Sequence, residues 1–270
     1  MPNLLDILKQ QTALQNYSPK TTGSYTSVAK QLYRHFKKPL NTLTNNEIAN
    51  YLHERIKNGM SSQTVHVYVQ AIHFIMFRIY KRTNFKKLHY PKRPSPLPTI
   101  LSRNEIRKLI QSTTNPKHKL LLSLAYASGL RVSEVVHLKV QDIEFQTHTI
   151  HVHQGKGNKD RITIFSEKLD SALHQLMQFK KPNDALFHSE RGGGLTARTA
   201  QAIFYHSLQK AHIQKQVTFH SLRHSFATHL LENGIHIRII QELLGHANIR
   251  TTERYTRVTQ SSIHRIISPL

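Results

Sequence analysis

The sequence predicts a mainly α-helical protein with one small antiparallel β-sheet, divided into a helical N-terminal domain and a mixed α/β C-terminal domain. Apolar residues recur at helical spacing along most of the chain, and apolar–polar alternation is confined to residues 147–165. Four prolines between positions 91 and 98 interrupt both patterns, and such a stretch favours an extended connector. We therefore predict domains at 1–89 and 100–270, joined by a Pro-rich linker at 90–99.

Capping residues and apolar stripes define the helices before the linker. Helix starts are predicted at Ser18-Pro19, at Thr44 with Glu47 as its capping-box partner, and at Ser62. The first helix runs to about His35 and the second to about Lys57. The third is longer, and its apolar face is a core-facing stripe made of Val65, Tyr68, Ile72, Ile75 and Ile79.

Beyond the linker, one β-hairpin is set among helices. Ser102 with Glu105 caps a helix, and the apolar stretch Leu120 to Ala127 forms another that stops at Ser128-Gly129. Two alternating stretches joined by the turn Q-G-K-G-N-K-D predict a hairpin with Lys156 at or near its tip. The remaining predicted helices cover about 167–180, 196–211, 220–233 and 236–244, and a last helix carries Tyr255.

The charge balance points to a polyanionic partner. Lysine and arginine number 38 against 15 acidic residues, a formal net charge of +23. Nucleic acid is the favoured partner. An anionic membrane surface is the alternative, but no apolar run of about 18 residues is long enough to span a bilayer. With no cysteine and no secretion signal at the N-terminus, we expect a soluble cytoplasmic protein without disulfides or membrane association.

Two basic residues lie where an anion could be held. Arg131, in S-G-L-R-V-S-E, is predicted at a helix–helix corner beside a helix N-terminus, where unpaired N–H groups favour negative charge. The alternative is a surface pair with Glu134, worth about 0.3 kcal/mol. Lys156 lies between glycines and could reach a phosphate, although the motif is not a P-loop and a solvated basic turn is the alternative.

Histidines flank a second arginine in H-S-L-R-H. His220 and Arg223 are one helical turn apart and can point into the same space. His220 and His224 also have the spacing of two metal ligands, but the glutamate of a zinc-protease helix and a third ligand are missing, so we expect no metal. His246 follows Gly245 just beyond a helix end, where a neutral imidazole could donate to an oxygen or simply be a buried structural histidine.

A tyrosine near the C-terminus completes the set. Tyr255 is either a packed side chain or a nucleophile assisted by the surrounding cations Arg250, Arg254 and Arg257. Attack on a phosphodiester builds negative charge that arginines neutralise, and it requires one group to accept a proton and another to deliver one. Arginine, lysine, histidine and tyrosine together therefore point to phosphodiester chemistry without metal ions.

The order of these motifs resembles the tyrosine recombinase (phage integrase) family, most closely its simple Xer-like members. The resemblance covers nearly the whole chain, and it is most specific in S-G-L-R-V-S-E, G-K-G-N-K-D-R, H-S-L-R-H, L-G-H-A and T-T-E-R-Y-T. It implies a SAM-like core-binding domain followed by a catalytic domain. S-P-K-T-T-G-S-Y and S-S-Q-T-V belong to the first of these and are only loosely specified.

The resemblance also implies a role for each site residue. Tyr255 would attack the scissile phosphate to form a 3′-phosphotyrosyl bond, and Lys156 would protonate the leaving 5′ oxygen. Arg131 and Arg223 would clamp the non-bridging oxygens. His220 would assist proton transfer at the tyrosine, and His246 would hydrogen-bond and orient the phosphate. No cofactor is implied.

The partners implied are double-stranded DNA and other copies of the chain. Monomers or weak oligomers in solution would assemble as a homo-tetramer on two DNA sites, each chain clamping the duplex with its two domains. Candidate DNA contacts are Lys92, Arg93, Lys159, Arg198, Arg250 and Arg254. A type IB topoisomerase, which shares the chemistry, and a non-catalytic DNA-binding accessory protein are the alternatives.

The C-terminal segment S-S-I-H-R-I-I-S-P-L is predicted to dock on a neighbouring subunit through Ile263, Ile266 and Ile267. Deleting residues 259–270 should therefore impair recombination between two sites more than DNA binding by a single chain. Gel-shift titration and a two-site recombination assay on the truncated chain measure the two effects. Recombination at the full-length rate would refute the assignment.

Overall fold

The computed structural model describes residues 2–88, 98–153, 160–190, 192–246, 248 and 251–253. The chain divides into two compact units, Met1–Ser95 and Pro96–Leu270. Each unit has its own cluster of buried apolar side chains. Within the described ranges, no helix combines the length and apolarity that crossing a bilayer requires.

Four α-helices lie within residues 2–88, the described part of the N-terminal unit. They are α1 (Pro2–Leu14), α2 (Pro19–Phe36), α3 (Asn45–Lys57) and α4 (Ser62–His73), with a 3₁₀ turn at Leu40–Thr42 and a π-helical segment at Phe74–Ile79. The Ser18 cap and the capping box of Thr44 with Glu47 are confirmed. The long helix predicted from Ser62 is wrong in its second half, where the wider π-helical turn keeps Ile75 and Met76 fully buried.

Seven α-helices lie in the described part of the C-terminal unit: α5 (Arg103–Ser112), α6 (Pro116–Ala127), α7 (Val132–His137), α8 (Asp170–Met177), α9 (Ala197–Lys210), α10 (His220–Glu232) and α11 (Ile237–Leu244). Helix α6 begins four residues earlier than predicted, because Asn115 caps it and Pro116 suits its first turn. The helix predicted at 167–180 is instead a 3₁₀ turn, Glu167–Leu169, followed by α8. Tyr255 lies outside the described residues.

The predicted hairpin is confirmed as β2 (Thr149–Val152) and β3 (Arg161–Ile164), which pair antiparallel. A third strand that the sequence did not predict, β1 (Ile143–Glu144), pairs with the other side of β2. It has only two residues, too few for a period-two pattern to reveal.

Strand β3 buries its polar face. Ile162 and Ile164 are 52% and 41% exposed, whereas Thr163 is fully buried and its hydroxyl donates to the Ser128 carbonyl at 2.9 Å. Because alternate residues of a strand share a face, Arg161 points inward with Thr163. The strand thus carries a cation towards the corner between α6 and α7.

The corner between α6 and α7 packs directly against α10. Gly129, at φ +59°, ends the corner's tight turn, and a Cβ there would lie 2.4 Å from Cδ1 of Phe226. Only glycine allows both this backbone conformation and this close approach. Helix α10 itself is largely buried, and its Arg223 is completely inaccessible to solvent.

Burial of His229 on α10 makes stability depend on pH. Its Nδ1 lies 2.9 Å from the Tyr126 hydroxyl, and burial, assisted by the charge of Arg103, lowers its pKa to about 4. An unfolded histidine titrates near 6.5, so between pH 6.5 and 4 only the unfolded chain binds this proton. The free energy of unfolding should therefore fall as pH is lowered through that window.

Urea unfolding at pH 7, 5.5 and 4.5 measures the effect. His229→Gln should lose less stability than the parent between pH 7 and 4.5, whereas substitution of the exposed His206 on α9 to Gln should leave the pH dependence unchanged. An identical pH dependence in His229→Gln and the parent would contradict the assignment.

Candidate active site

The site is built around the carboxylate of Glu134 on α7. This side chain is 5% exposed, and its Oε1 accepts from Nη1 of Arg131 at 2.5 Å while Oε2 accepts from the Arg131 backbone N–H at 2.7 Å. Arg131 is the residue that caps α7, as the sequence indicated. The pairing of these two residues, the alternative drawn from the sequence, is confirmed, but its placement at the surface is wrong because the carboxylate is buried.

A further arginine, Arg161 of β3, binds the same carboxylate with two parallel hydrogen bonds. Its Nη1 and Nη2 donate to Oε1 and Oε2 of Glu134, each at 2.8 Å, and its own side chain is 7% exposed. Burial alone would raise the pKa of Glu134, but the hydrogen bonds and charge of Arg161, joined by Arg131, outweigh it and lower the pKa to about 2. Glu134 is thus a fixed anion at neutral pH.

Arg223 lies behind this pair, fully buried in α10. Its Nη1 donates to the Gly129 carbonyl at 2.8 Å and lies 3.7 Å from Oε2 of Glu134, and its Nη2 donates to the Leu244 carbonyl. The side chain therefore bridges the α6–α7 corner and the end of α11. These contacts hold the guanidinium plane in one orientation.

His246 follows the left-handed Gly245 that ends α11. Its Nδ1 lies 3.0 Å from the Thr252 hydroxyl, and the Thr252 side chain is buried. Burial lowers the pKa of His246 to about 3, and the charges of Arg223 and Arg131 act in the same direction. The ring is therefore neutral at physiological pH. If Nδ1 accepts from Thr252, then Nε2 carries the proton and can donate to an anion.

His220 is the first residue of α10 and is exposed. Its ring meets that of His224 edge to face, with centroids 4.4 Å apart. Helical spacing thus brings these rings together as the sequence indicated. Among the described residues, no group of three or more His, Cys, Asp or Glu side chains is arranged to hold a metal ion.

The described side chains form one cationic site. The structure brings Arg131, Arg223 and His246 together, and His220 is near enough for its charge to influence the pKa of His246. The guanidiniums of Arg131, Arg161 and Arg223 surround the single carboxylate of Glu134, which leaves two net positive charges. A partly buried cluster with excess positive charge and a neutral imidazole donor suits an anion such as a phosphodiester.

Of the other predicted site residues, only Arg198 belongs to the part of the chain that the structure describes. Arg198 is exposed in the first turn of α9, where a phosphate could approach it. The remaining predicted residues lie outside the described residues: Lys92, Arg93, Lys156, Lys159, Arg250, Arg254 and Tyr255.

The positions of Glu134 and Arg161 within the site were not predicted from the sequence. Glu134 was considered only as a surface partner, and Arg161 was not singled out from the basic stretch that precedes β3. The signal that could have found Arg161 is its position at the start of R-I-T-I, where it shares a strand face with Thr163. That face is the buried one. Because the isoleucines of this strand lie on the other face, periodicity alone predicts that the other face is buried.

Two family models match the chain. Residues 99–262 match the phage integrase family, and residues 4–84 match the phage integrase N-terminal SAM-like domain. The putative integrase/recombinase y4qK of Sinorhizobium fredii is 34% identical over all of this chain and 89% of its own length. Tyrosine recombinase XerA of Pyrococcus horikoshii is 33% identical, covering 94% and 88%, and XerD of Oceanobacillus iheyensis is 37% identical, covering 82% and 80%.

Solved structures share the fold. A crystal structure of XerA recombinase, 30% identical, superposes with a TM-score of 0.58 over 99% of both chains. A lambda integrase dimer bound to a core site, 20% identical, gives a TM-score of 0.77 over 100% of this chain and 98% of that one. The chain belongs to the phage integrase family of tyrosine recombinases. It is therefore an enzyme of site-specific recombination, which cleaves and rejoins DNA.

Replacing Glu134 by glutamine should destabilise the C-terminal unit. The amide keeps the shape but removes the charge that compensates the buried guanidiniums, a change that typically costs about 3–5 kcal/mol in the free energy of unfolding. Denaturant unfolding at pH 7 measures the loss. Glu190→Gln is the matched control, because this carboxylate is 80% exposed beside Lys117 and its loss should cost less than about 1 kcal/mol. Equal losses in the two variants would contradict a buried anion at the centre of the site.

Proposed function

We propose that this recombinase exchanges strands between two DNA sites through a covalent bond between Tyr255 and a DNA 3′ phosphate. The observation that carries the proposal is the convergence of Arg131, Arg223 and a neutral His246 beside the buried carboxylate of Glu134. This set can bind a phosphodiester and neutralise the charge that develops on it. The family membership of the chain supports the same chemistry.

Arg131, Arg223 and His246, which we call the phosphate clamp, act through fixed geometry. Arg131 and Arg223 are held by Glu134 and by backbone carbonyls, so little reorientation is needed when the phosphorus becomes pentacoordinate. Preorganised donors of this kind stabilise developing charge best, and removing one typically costs about 3 kcal/mol in activation free energy. His246 adds a neutral N–H donor to one non-bridging oxygen and so helps to orient the phosphate.

Bond formation and proton transfer are assigned to the remaining residues. The Tyr255 oxygen bonds to phosphorus while the bond to the 5′ oxygen breaks. The phenolic proton passes towards His220, and Lys156 gives a proton to the departing 5′ oxygen. The phosphotyrosyl ester conserves the energy of the backbone linkage, so the 5′ hydroxyl of a partner strand can reverse the step. The proposed reaction requires neither ATP nor a metal cofactor.

Binding of the duplex is assigned to both predicted domains, 1–89 and 100–270, and to the linker 90–99. The net charge of +23 supports a large number of phosphate contacts. Arg198 supports it locally, because it is exposed in the first turn of α9, where the helix dipole also favours an anion. We include Lys92, Arg93, Lys159, Arg250 and Arg254 on the basis of their sequence positions.

Assembly as a homo-tetramer on two sites in the cytoplasm completes the proposal. The relatives named above support a recombinase rather than a type IB topoisomerase, because they are named tyrosine recombinases or integrases. A topoisomerase would relax a single duplex as a monomer. Recombination between two sites on one plasmid distinguishes these activities.

The test is covalent capture. Duplexes bound by the protein are selected from a random pool, nicked near the site and incubated with the enzyme, and denaturing gels then reveal any protein–DNA adduct. The parent should form the adduct, whereas Tyr255→Phe should bind the duplex with unchanged affinity and form none. Tyr205→Phe, at an exposed tyrosine of α9, is the matched control and should react like the parent. An adduct formed by Tyr255→Phe would refute the assignment of the nucleophile.

A further inference from the structure

Arg161 is the one arginine of the cluster to which the proposed function gives no role. Its side chain is 7% exposed, between the 19% of Arg131 and the 0% of Arg223. An arginine so buried, on a strand with solvent-exposed isoleucines, needs a reason. Its contacts supply one, because they join three separate pieces of the C-terminal unit.

The first piece is helix α7. Both terminal nitrogens of Arg161 bind both oxygens of Glu134 at 2.8 Å. This two-point contact fixes the plane of the carboxylate as well as its position. The same carboxylate then holds Arg131 through Nη1 and through the backbone N–H. The orientation of Arg161 is thereby passed on to the Arg131 guanidinium.

The second piece is the end of α11. Nε of Arg161 donates to the Leu243 carbonyl at 2.9 Å, while Arg223 donates to the next carbonyl, that of Leu244. The last carbonyls of a helix have no partner within the helix and carry partial negative charge. Two arginines therefore fix the helix end from which His246 projects.

The Arg161 side chain packs directly against Gly245 at that helix end. A Cβ at this position would lie 2.6 Å from Cδ of Arg161, and the glycine has φ +61°. The chain turns towards His246 directly over the arginine stem.

The third piece is β3 itself, which begins at Arg161, five residues after Lys156 in the sequence.

We propose that Arg161 is a positioning residue that aligns the phosphate clamp, holding Arg131 through Glu134 and the His246 end of α11 through the Leu243 carbonyl. It does not itself contact DNA. This inference rests on the proposed function, since the alignment matters only if the clamp binds a scissile phosphate. This role requires a guanidinium. Its two terminal nitrogens bind both carboxylate oxygens of Glu134 while its Nε donates to the Leu243 carbonyl.

Arg161→Lys is the informative variant because it keeps the charge and loses the fork. We expect it to bind the selected duplex with parental affinity. Its single-turnover rate of adduct formation at saturating protein should fall by about 10- to 100-fold, the scale expected when catalytic groups are slightly misplaced. Arg161→Gln should be slower still. Arg107→Gln, at an exposed arginine of α5, is matched for charge loss and should react like the parent.

A neutral substrate separates alignment of the clamp from general damage. A methylphosphonate at the scissile position has a methyl group in place of one charged oxygen, so the clamp has less charge to neutralise. If Arg161 acts through the clamp, the rate defect of Arg161→Lys should shrink to about threefold or less on this substrate. The ratio of defects on the two substrates is independent of how much of the variant is folded, because an inactive fraction slows both reactions equally.

The outcomes are distinct. A smaller defect on the methylphosphonate supports the inference. Equal defects on both substrates, or parental rates on both, overturn it and leave the proposed function standing. Failure of the unsubstituted chain to form any adduct refutes the proposed function instead.

Discussion

The buried carboxylate of Glu134 is the constraint on which the rest of the catalytic unit depends. Cations brought together by the fold repel one another, and a partly buried cluster is only weakly screened by salt. One fixed anion, holding Arg131 and Arg161 by hydrogen bonds and Arg223 at 3.7 Å, offsets that repulsion. It offsets it only in part, because two net positive charges remain. The site can therefore fold and still carry the positive charge that attracts an anionic ligand.

The same arrangement explains why the imidazole beside the clamp is neutral. Burial and the neighbouring guanidiniums both oppose a charge on His246, so its pKa falls to about 3. In the proposed function, a neutral ring whose Nδ1 accepts from Thr252 donates from Nε2 to a phosphate oxygen without adding to the repulsion among the arginines. Charge neutralisation is thus assigned to arginine, and a short-range directional contact to histidine.

Three backbone features make this packing possible. Gly129 lets the α6–α7 corner lie against α10, and Gly245 lets the end of α11 pass over the stem of Arg161. Strand β3 turns its polar residues inward, which brings Arg161 to α7 and α11. Contacts between segments that lie far apart in sequence hold the guanidiniums of Arg161 and Arg223, and they also hold the Glu134 carboxylate that binds Arg131. The site consequently depends on folding of the whole C-terminal unit, as expected of an enzyme whose donors must be preorganised.

Local rules in the sequence determined much of this protein. Caps and periodicity located most helices, alternation located the β2–β3 hairpin, and the ordered motifs indicated the family and the candidate residues. They failed at elements too short or too irregular for a periodic pattern to reveal: the π-helical turn after His73, the two-residue strand β1 and the 3₁₀ turn before α8. Only the tertiary structure decided that Glu134 is a shared buried anion rather than half of a surface pair, and that Arg161 faces inward. The physical reason is that burial and the pairing of charges depend on which distant segments pack together, and no spacing within one segment records that.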